Sequence, residues 1–261
     1  METASDSAVS IQSAAADRAP RPSLTIAAGN FFFHRRNTLF PIVMSMAALA
    51  MRPRVIGSPE LDRTLIAVGI VIALAGQAFR LFTIGLEYIE RGGKDGKVYA
   101  SRLVQGGIYA HTRNPMYLGN VMITVGIVMM MGSPGAYVLI IPVFAFIYHS
   151  IARAEEAYLR TKFSQEYAAY CARVPRLFPS LRGFGETLRS GRYNWKRAIR
   201  QDLSTLTGTC AAVAMVPFWR VLWLDGTNAF VALLPRVAVS AAIIGLGYAT
   251  LHEFKHRQLL Q

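Results

Sequence analysis

The chain has 261 residues, of which 53% are apolar and 16% are charged. Ordinary soluble domains carry roughly 25% charged residues, so this balance predicts an integral membrane protein. The two cysteines, Cys171 and Cys210, are too few for a disulfide framework or a cysteine-based zinc site, and we expect no metal site. The formal charge of +13 is interpreted first through the positive-inside rule of membrane proteins, before nucleic acid binding.

The first 25 residues are rich in alanine and serine and show no apolar periodicity, which predicts a disordered N-terminal tail over 1–25. Glu2, Asp6 and Asp17 argue against a mitochondrial presequence, which is poor in acidic residues. The continuous apolar core of a signal peptide is missing as well. We therefore expect the folded part of the chain to begin near residue 26.

Five stretches that are nearly free of charge follow the tail. They cover residues 37–51, 64–86, 114–152, 203–219 and 226–252. A spanning helix needs roughly 17 to 25 mostly apolar residues, so the third stretch is long enough for two helices. It is interrupted at 132–135 by Gly-Ser-Pro-Gly, a strong turn signal. The pattern predicts an all-α polytopic bundle of about six transmembrane helices, with a tight hairpin over about 114–152.

The distribution of positive charge predicts the orientation of these helices. With a cytoplasmic N-terminus, 22 of the 28 Lys and Arg residues fall on the cytoplasmic side and four on the other, while Arg80 and Arg236 lie within spans. This asymmetry predicts that both termini are cytoplasmic, and we expect a bacterial inner membrane. Arg80 is seven residues from Glu87, so we expect its side chain to snorkel to the interface.

The folded part of the chain divides into a core over 26–200 and a C-terminal pair of transmembrane helices over 201–261. Basic residues between 182 and 200 are interleaved with Tyr193 and Trp195. In a membrane protein this composition favours contact with anionic lipid headgroups over binding of nucleic acid. We therefore expect the aromatic, basic segment 157–200 to form an interfacial helical segment that lies across the headgroups.

The geometry of the hairpin predicts where polar residues meet at the membrane surface. At 1.5 Å per residue, Pro115 lies about 26 Å before Gly132, and Glu155 lies about 29 Å after Ala136. Antiparallel packing therefore places both at one level. The residues expected to converge there are Tyr109, His111, Arg113, Asn114, Tyr117, Arg153, Glu155 and Glu156. Together they would offer a ligand carboxylates, a cation beside free helix amides, and aromatic faces.

Two of these features also have simpler structural explanations. Asn is a favoured N-cap and Pro a favoured first helical residue, so Asn114 and Pro115 on their own are typical of a helix start. Glu155 and Glu156 are also compatible with a solvated helix face, since Glu156 precedes Arg160 by four residues. Adjacent helical residues point about 100° apart, so the two glutamates need not serve one ligand.

Three runs of residues resemble a known family. They are Gly-Ile-Tyr-Ala-His-Thr-Arg-Asn-Pro-Met-Tyr-Leu-Gly at 107–119, Glu-Glu-Ala-Tyr-Leu at 155–159 and Arg-Val-Pro-Arg at 173–176. Their order and spacing around a hairpin are similar to those of the isoprenylcysteine carboxyl methyltransferase and phospholipid methyltransferase family of integral-membrane enzymes, over roughly residues 60–180. Two positions depart from the family pattern. Asn114 stands where many members have His, and Ser164 replaces the usual Gly, where we expect it to cap the next helix.

The resemblance implies S-adenosylmethionine as the methyl donor, bound at the cytoplasmic base of the hairpin. One of the two glutamates would hold its ammonium group, Arg113 with the amides near Pro115 its carboxylate, and Tyr109 or Tyr117 its sulfonium. The implied cofactor-binding residues are Tyr109, His111, Arg113, Asn114, Pro115, Tyr117, Gly119, Glu155 and Glu156. The residues implied for catalysis on the acceptor side are Arg173 and Tyr167.

The leading hypothesis is therefore a membrane methyltransferase that acts on a lipophilic or amphiphilic acceptor, with a carboxylate, amine or thiol as the methylated group. A sterol-reductase-like enzyme that uses NADPH is one alternative, because that superfamily shares a related hairpin, although such reductases generally have more than six spans. A non-catalytic membrane scaffold of the same fold is the other alternative.

Overall fold

The computed structural model describes residues 23–89 and 98–257, and within these ranges it is helical without a strand. The α-helices are α1 (Leu24–Ala50), α2 (Pro59–Leu86), α3 (Pro115–Met131), α4 (Pro134–Arg173), α5 (Phe184–Ser190), α6 (Trp195–Leu224) and α7 (Gly226–His256). A short 3-10 helix, Gly107–Ala110, precedes α3. The predicted all-α polytopic bundle is confirmed. The predicted tail over 1–25 lies outside the described residues apart from its last three, and α1 already begins at Leu24.

Side-chain caps and proline explain where two of the long helices begin. At the start of α2, the Ser58 hydroxyl accepts a hydrogen bond from the amide of Leu61 at 3.2 Å, and Pro59 occupies the first helical position. At the start of α6, the side chain of Asn194 accepts from the amide of Arg197 at 2.9 Å. These contacts satisfy amides that have no partner within the helix.

The predicted hairpin consists of α3 and α4, joined at Gly132 and Ser133. Gly132 has a φ of 62° and ends α3 in the left-handed conformation that glycine adopts without steric cost. Pro134 then takes the first position of α4. The turn signal in the sequence therefore gave the correct position of the turn and of both helix ends.

Helix α4 is 40 residues long but bends at Ser164, whose φ of 36° and ψ of −105° are not helical. A positive φ is unfavourable for a residue with a Cβ atom, which explains why glycine suits this position. Ser164 thus lies at the kink where two helical segments meet, which agrees with the expectation that a new helix begins there. Beyond the bend, Tyr167 and Tyr170 pack with Val174 in a small buried cluster. This part of α4 and α5 correspond to the expected interfacial segment.

Glycines bring the backbones of α2 and α3 unusually close together. A Cβ atom added to Gly69 would lie 2.7 Å from the carbonyl oxygen of Gly126, and one added to Gly76 would lie 2.7 Å from that of Gly119. Such contacts between small residues are typical of helix packing in membranes. Gly119, expected to bind the cofactor, is thus a packing residue on the α2–α3 interface.

Within the described ranges, four helices are long and apolar enough to cross a membrane, namely Pro59–Leu86, Pro134–Arg173, Trp195–Leu224 and Gly226–His256. Each contains one of the predicted spans. The other two predicted spans coincide with the shorter apolar helices Thr38–Ala50 and Pro115–Met131. The chain is therefore a polytopic integral membrane protein, and the number of six crossings stays a prediction.

The buried arginines differ from expectation. Arg80 does not snorkel to the interface, because it is 2% exposed and its guanidinium pairs with the carboxylate of Asp202 on α6. Arg220 is buried within α6 and pairs with Asp62 on α2 at 2.5 Å. Arg236 is exposed on α7, a helix that contributes no buried residue in the described part of the chain. The C-terminal pair is thus anchored to the core through α6.

Candidate active site

A cavity of about 860 Å³ runs from the base of the hairpin into the helix bundle. Residues of α1, α2, α3, α4 and α6 line it, together with residues 98–104 before the 3-10 helix. Along α3 the lining extends from Asn114 to Ile127, a rise of about 20 Å at 1.5 Å per residue. The space therefore connects the interfacial end of the hairpin with the interior of the bundle.

Seven of the predicted site residues line this cavity near the hairpin base. They are Tyr109, Arg113, Asn114, Tyr117, Glu155, Glu156 and Tyr167. The 3-10 helix and the loop after it supply the first three, α3 supplies Tyr117, and α4 supplies the rest. Antiparallel packing of the hairpin thus brings these residues to one level, as the helical rise predicted.

Glu156 is buried and fully engaged by basic and polar neighbours. Its carboxylate accepts from the Arg176 guanidinium at 2.6 Å and 3.0 Å and from the Asn114 amide at 3.1 Å. Arg113 lies 3.6 Å from the same carboxylate. Asn114 therefore turns its side chain to Glu156 and makes no N-cap hydrogen bond to α3. This clamp ties the start of α3 to α4 and to the segment that follows it.

Glu155 has a different environment although it is the next residue. It is half-buried, lines the cavity, and forms no ion pair with any residue that the structure describes. The Tyr117 hydroxyl stabilises its carboxylate most among the neighbouring groups, and the positive charge of Arg36 on α1 adds to this effect. The Arg36 guanidinium sits over the ring of Phe33, 4.1 Å from its centre. One of the two glutamates is thus available to a ligand and the other is not.

Two buried polar atoms beside the clamp lack a hydrogen-bond partner in the described part of the molecule. They are the Nε of Arg113 and the hydroxyl of Tyr167. Burial is the largest effect and lowers the pKa of the Arg113 guanidinium, but Glu156 together with Cys171 and Tyr167 raises it more, so the pKa is raised overall. Arg113 and Tyr167 also interact with each other, and both line the cavity, where a polar ligand would reach them.

Four predicted site residues do not line the cavity. His111 is buried with both ring nitrogens occupied, Nδ1 lying 2.8 Å from the Ser180 carbonyl oxygen and Nε2 lying 2.8 Å from the Thr187 hydroxyl. Pro115 is fully buried as the first residue of α3, and Gly119 packs against α2 as described above. Arg173 is exposed, and its guanidinium donates to the Gln105 side chain at 3.1 Å and to the carbonyl of its own helix at Ala169.

Three further elements of the site carry weaker signals in the sequence. Arg176 belongs to the Arg-Val-Pro-Arg run, but only the structure pairs it with Glu156. Arg36 precedes the first apolar stretch, and the structure adds it to the cavity lining. Nothing in the sequence of α6 shows which helix it packs against, so only the structure shows the face that borders the cavity. Its lining residues are Gln201, Ser204, Thr205, Gly208 and Thr209.

Fold and cavity together define a polytopic membrane protein in which a charged interfacial site opens into a helix-lined interior. Residues 64–166 match the phospholipid methyltransferase family, which confirms the resemblance found from the motifs. The match covers most of α2, α3 and most of α4, and it ends just before Tyr167. The family indicates a membrane methyltransferase.

The chain is also similar to one curated protein over a shorter stretch. It is 33% identical over 79 residues to the cobalt-zinc-cadmium resistance protein CzcN of Cupriavidus metallidurans. The similar stretch covers 30% of this chain and 36% of that protein, so the chain matches about a third of the relative's length. No solved structure shows a significant match.

Proposed function

We propose that the protein is an S-adenosylmethionine-dependent methyltransferase that acts on a lipophilic or amphiphilic acceptor bearing a carboxylate, amine or thiol. The observation that carries this proposal is the cavity, which joins a charged base with an unpaired glutamate to an aromatic space between α1 and α4. A charged cofactor suits the base, and an acceptor with a hydrocarbon part suits the interior.

The residues at the base fit the chemical groups of S-adenosylmethionine. Glu155 is the candidate partner for the ammonium group, since Glu156 is already held by Arg176. Arg113, with its unsatisfied Nε, is the candidate for the carboxylate. Tyr109 or Tyr117 offers an aromatic face to the sulfonium. When bound, S-adenosylmethionine supplies an electrophilic methyl group on sulfur.

The contribution of the chain itself is chiefly positional. Methyl transfer is an in-line displacement, so aligning donor and acceptor lowers the barrier without covalent participation of the protein. The other buried carboxylates of the described residues, Asp62, Glu156 and Asp202, are each paired with an arginine. This leaves Glu155 as the unpaired acid in the cavity, which favours an acceptor that needs no base, such as a carboxylate.

The two reactants would approach from different phases. A charged cofactor comes from the cytosol, whereas a lipophilic acceptor arrives sideways from the inner leaflet, with the segment 157–200 lying across the headgroups. This arrangement requires both termini on the cytoplasmic side of a bacterial inner membrane, as the charge asymmetry predicts. Reporter fusions after residues 57 and 95 should report opposite sides, and a common side for both would overturn the topology.

The decisive experiment is a calorimetric titration of the purified protein with S-adenosylmethionine and, separately, with NADPH. We expect binding of S-adenosylmethionine and none of NADPH, followed by methyl transfer to one member of an acceptor panel. That panel contains prenylated thiols, aminophospholipids and short water-soluble thiols. Binding of NADPH alone would favour the reductase, and binding of neither would favour the scaffold. Methylation of short thiols alone would refute lateral access of a lipophilic acceptor.

A further inference from the structure

One wall of the cavity is polar, and it is built by a helix outside the family match. Helix α6 lines the space with Ser204, Thr205 and Gly208, which lie on one helical face. The opposite wall is apolar and aromatic, with Phe40 of α1 and Phe144 of α4 among its residues. Polar residues within a membrane bundle are costly and are usually retained for a function. The asymmetry of the two walls therefore calls for a functional explanation.

The polar wall carries no net charge. Arg80 of α2 borders it and lines the cavity as well, but it pairs with Asp202, and Gln77 donates to the same carboxylate at 2.8 Å. The Arg80 guanidinium also donates to the Thr205 hydroxyl at 3.3 Å and to the Asn120 side chain. The positive charge of the arginine is thus compensated inside the protein. A ligand group at this wall therefore contacts hydroxyl groups and other dipoles. A negatively charged group would find no unpaired cation there.

The wall also has free space and a free hydrogen-bonding group. Ser204 and Gly208 are exposed to the cavity, and a Cβ atom added to Gly208 would meet no atom within 4 Å. The Ser204 hydroxyl makes no hydrogen bond to any residue in the described ranges. One helical turn of α6 therefore offers an open notch with a hydroxyl at its edge.

We infer that this notch of α6, Ser204 with Thr205 and Gly208, is an acceptor subsite for an uncharged hydrogen-bonding group such as an amide, ester or hydroxyl. The inference rests on the proposed function, in which the cofactor fills the hairpin base and leaves the deeper space to the acceptor. The notch lies deeper than the base. Asn120, which shares the Arg80 guanidinium with Thr205 of the notch, is six residues further along α3 than Asn114 of the base, or about 9 Å. The acceptor is then an amphiphile with an oxygen-bearing linker next to its reacting group, in preference to a bare hydrocarbon chain.

The chemistry of the wall explains this preference. An amide or ester placed in an apolar cavity loses its hydrogen bonds to water, and the loss is costly unless the protein replaces them. The Ser204 hydroxyl can donate to a carbonyl oxygen or accept from an amide. A phosphate or sulfate would instead be left without a counter-charge, because Arg80 is already paired. The subsite thus selects polar groups that are neutral.

The test compares two matched amphiphiles that bind to the full-length protein in nanodiscs, N-oleoylglycine and oleic acid. Both end in a carboxylate and carry the same oleoyl chain, but only the first has an amide. The wild type should bind N-oleoylglycine about tenfold more tightly, the equivalent of one hydrogen bond. Replacement of Ser204 by alanine should reduce this ratio towards one. Equal binding of the two amphiphiles by the wild type would overturn the subsite.

The substitution Gly208→Leu places a side chain in the notch, where its Cβ atom meets no atom within 4 Å. It should weaken binding of N-oleoylglycine at least about tenfold and leave the affinity for S-adenosylmethionine within about twofold. The matched control is Gly247→Leu on α7, where an added Cβ atom also meets nothing within 4 Å and which does not line this cavity. A loss of S-adenosylmethionine binding in Gly208→Leu alone would assign the notch to the cofactor and refute the inference. Failure of the wild type to bind S-adenosylmethionine would refute the proposed function, while the amphiphile ratio still tests the subsite.

Discussion

The two ends of the α3–α4 hairpin are held in the same way, but only one of them forms a site. At the tip, Arg220 of α6 pairs with Asp62 at 2.5 Å and donates to the carbonyl of Met131 at 2.9 Å. At the base, Arg176 pairs with Glu156 at 2.6 Å. Both pairs connect the hairpin to other parts of the chain and compensate a buried charge.

The difference lies in what surrounds each pair. The tip arginine fills the space beside Gly132, where an added Cβ atom would collide with its guanidinium. The base pair instead borders the cavity. Beside it lie Glu155, which has no ion pair among the described residues, and two atoms with no hydrogen bond there, the Nε of Arg113 and the Tyr167 hydroxyl. A buried ion pair alone therefore does not mark a functional site, whereas unsatisfied polar groups beside an open space do.

The largest effect is expected at the tip, on stability alone. Asp62→Ala leaves Arg220 buried without a counter-charge, which should lower the free energy of unfolding by about 3 to 5 kcal/mol. Cofactor affinity per folded molecule should not change, because the tip is remote from the cavity base. Denaturant unfolding in detergent, with calorimetric titration of the folded fraction, checks both. Glu60→Ala, which removes an exposed partner of Arg63 on the same helix, is the control and should change stability by less than about 0.5 kcal/mol.

At the base, Glu156→Gln should affect stability and binding together. The substitution removes the charge that holds Arg113 and Arg176, at a cost of roughly 1.5 to 3 kcal/mol in the free energy of unfolding. The loss is smaller than at the tip because the Arg176 side chain is 37% exposed and is partly solvated. Weaker cofactor binding should accompany it as Arg113 moves. Unchanged stability would mean that the clamp is not a structural element.

Glu155→Gln sharpens the comparison because it alters the neighbouring residue alone. Loss of one charge-assisted hydrogen bond to the cofactor ammonium should weaken S-adenosylmethionine binding by roughly 1.5 to 3 kcal/mol, or about 10- to 150-fold. The free energy of unfolding should stay within about 0.5 kcal/mol of wild type, since Glu155 has no ion pair to lose among the described residues. An unchanged affinity for S-adenosylmethionine would mean that Glu155 is only a solvated residue on the helix surface.

The smallest effect is expected for Arg173→Ala. The sequence motif implied that Arg173 acts on the acceptor, and a loss of turnover with intact cofactor affinity would support that role. The structure places its guanidinium at the surface with Gln105, outside the cavity lining. We therefore expect changes of less than about 0.5 kcal/mol in both stability and cofactor affinity and only a small change in methyl transfer.

Local signals were sufficient to predict the hairpin and its base. A turn signal at 132–135 and the helical rise placed Tyr117 and Glu155 at one level without tertiary information. The rotation of about 100° between adjacent residues also allowed the two glutamates to differ, but the sequence could not say which of them faces the cavity. The tertiary contacts of each glutamate decide which of them faces the cavity.

Contacts between distant parts of the chain were beyond sequence reasoning. The pair of Arg80 and Asp202 joins residues 122 positions apart, and that of Arg220 and Asp62 joins residues 158 apart. An arginine taken alone in the sequence has only its nearest charge or span end as a guide, so neither pairing is predictable. The two partners of the His111 ring are likewise distant in the chain, since both lie beyond residue 179.

The glycine contacts between α2 and α3 limit the sides from which a lipid can enter the cavity. Backbones that approach this closely, at Gly69 with Gly126 and at Gly76 with Gly119, leave no slit wide enough for an acyl chain. The α2–α3 side of the bundle is therefore closed to acyl chains. A hydrocarbon tail that reaches the cavity from the bilayer must therefore pass another helix boundary, and α1, whose Phe40 and Met44 line the cavity, borders the remaining routes.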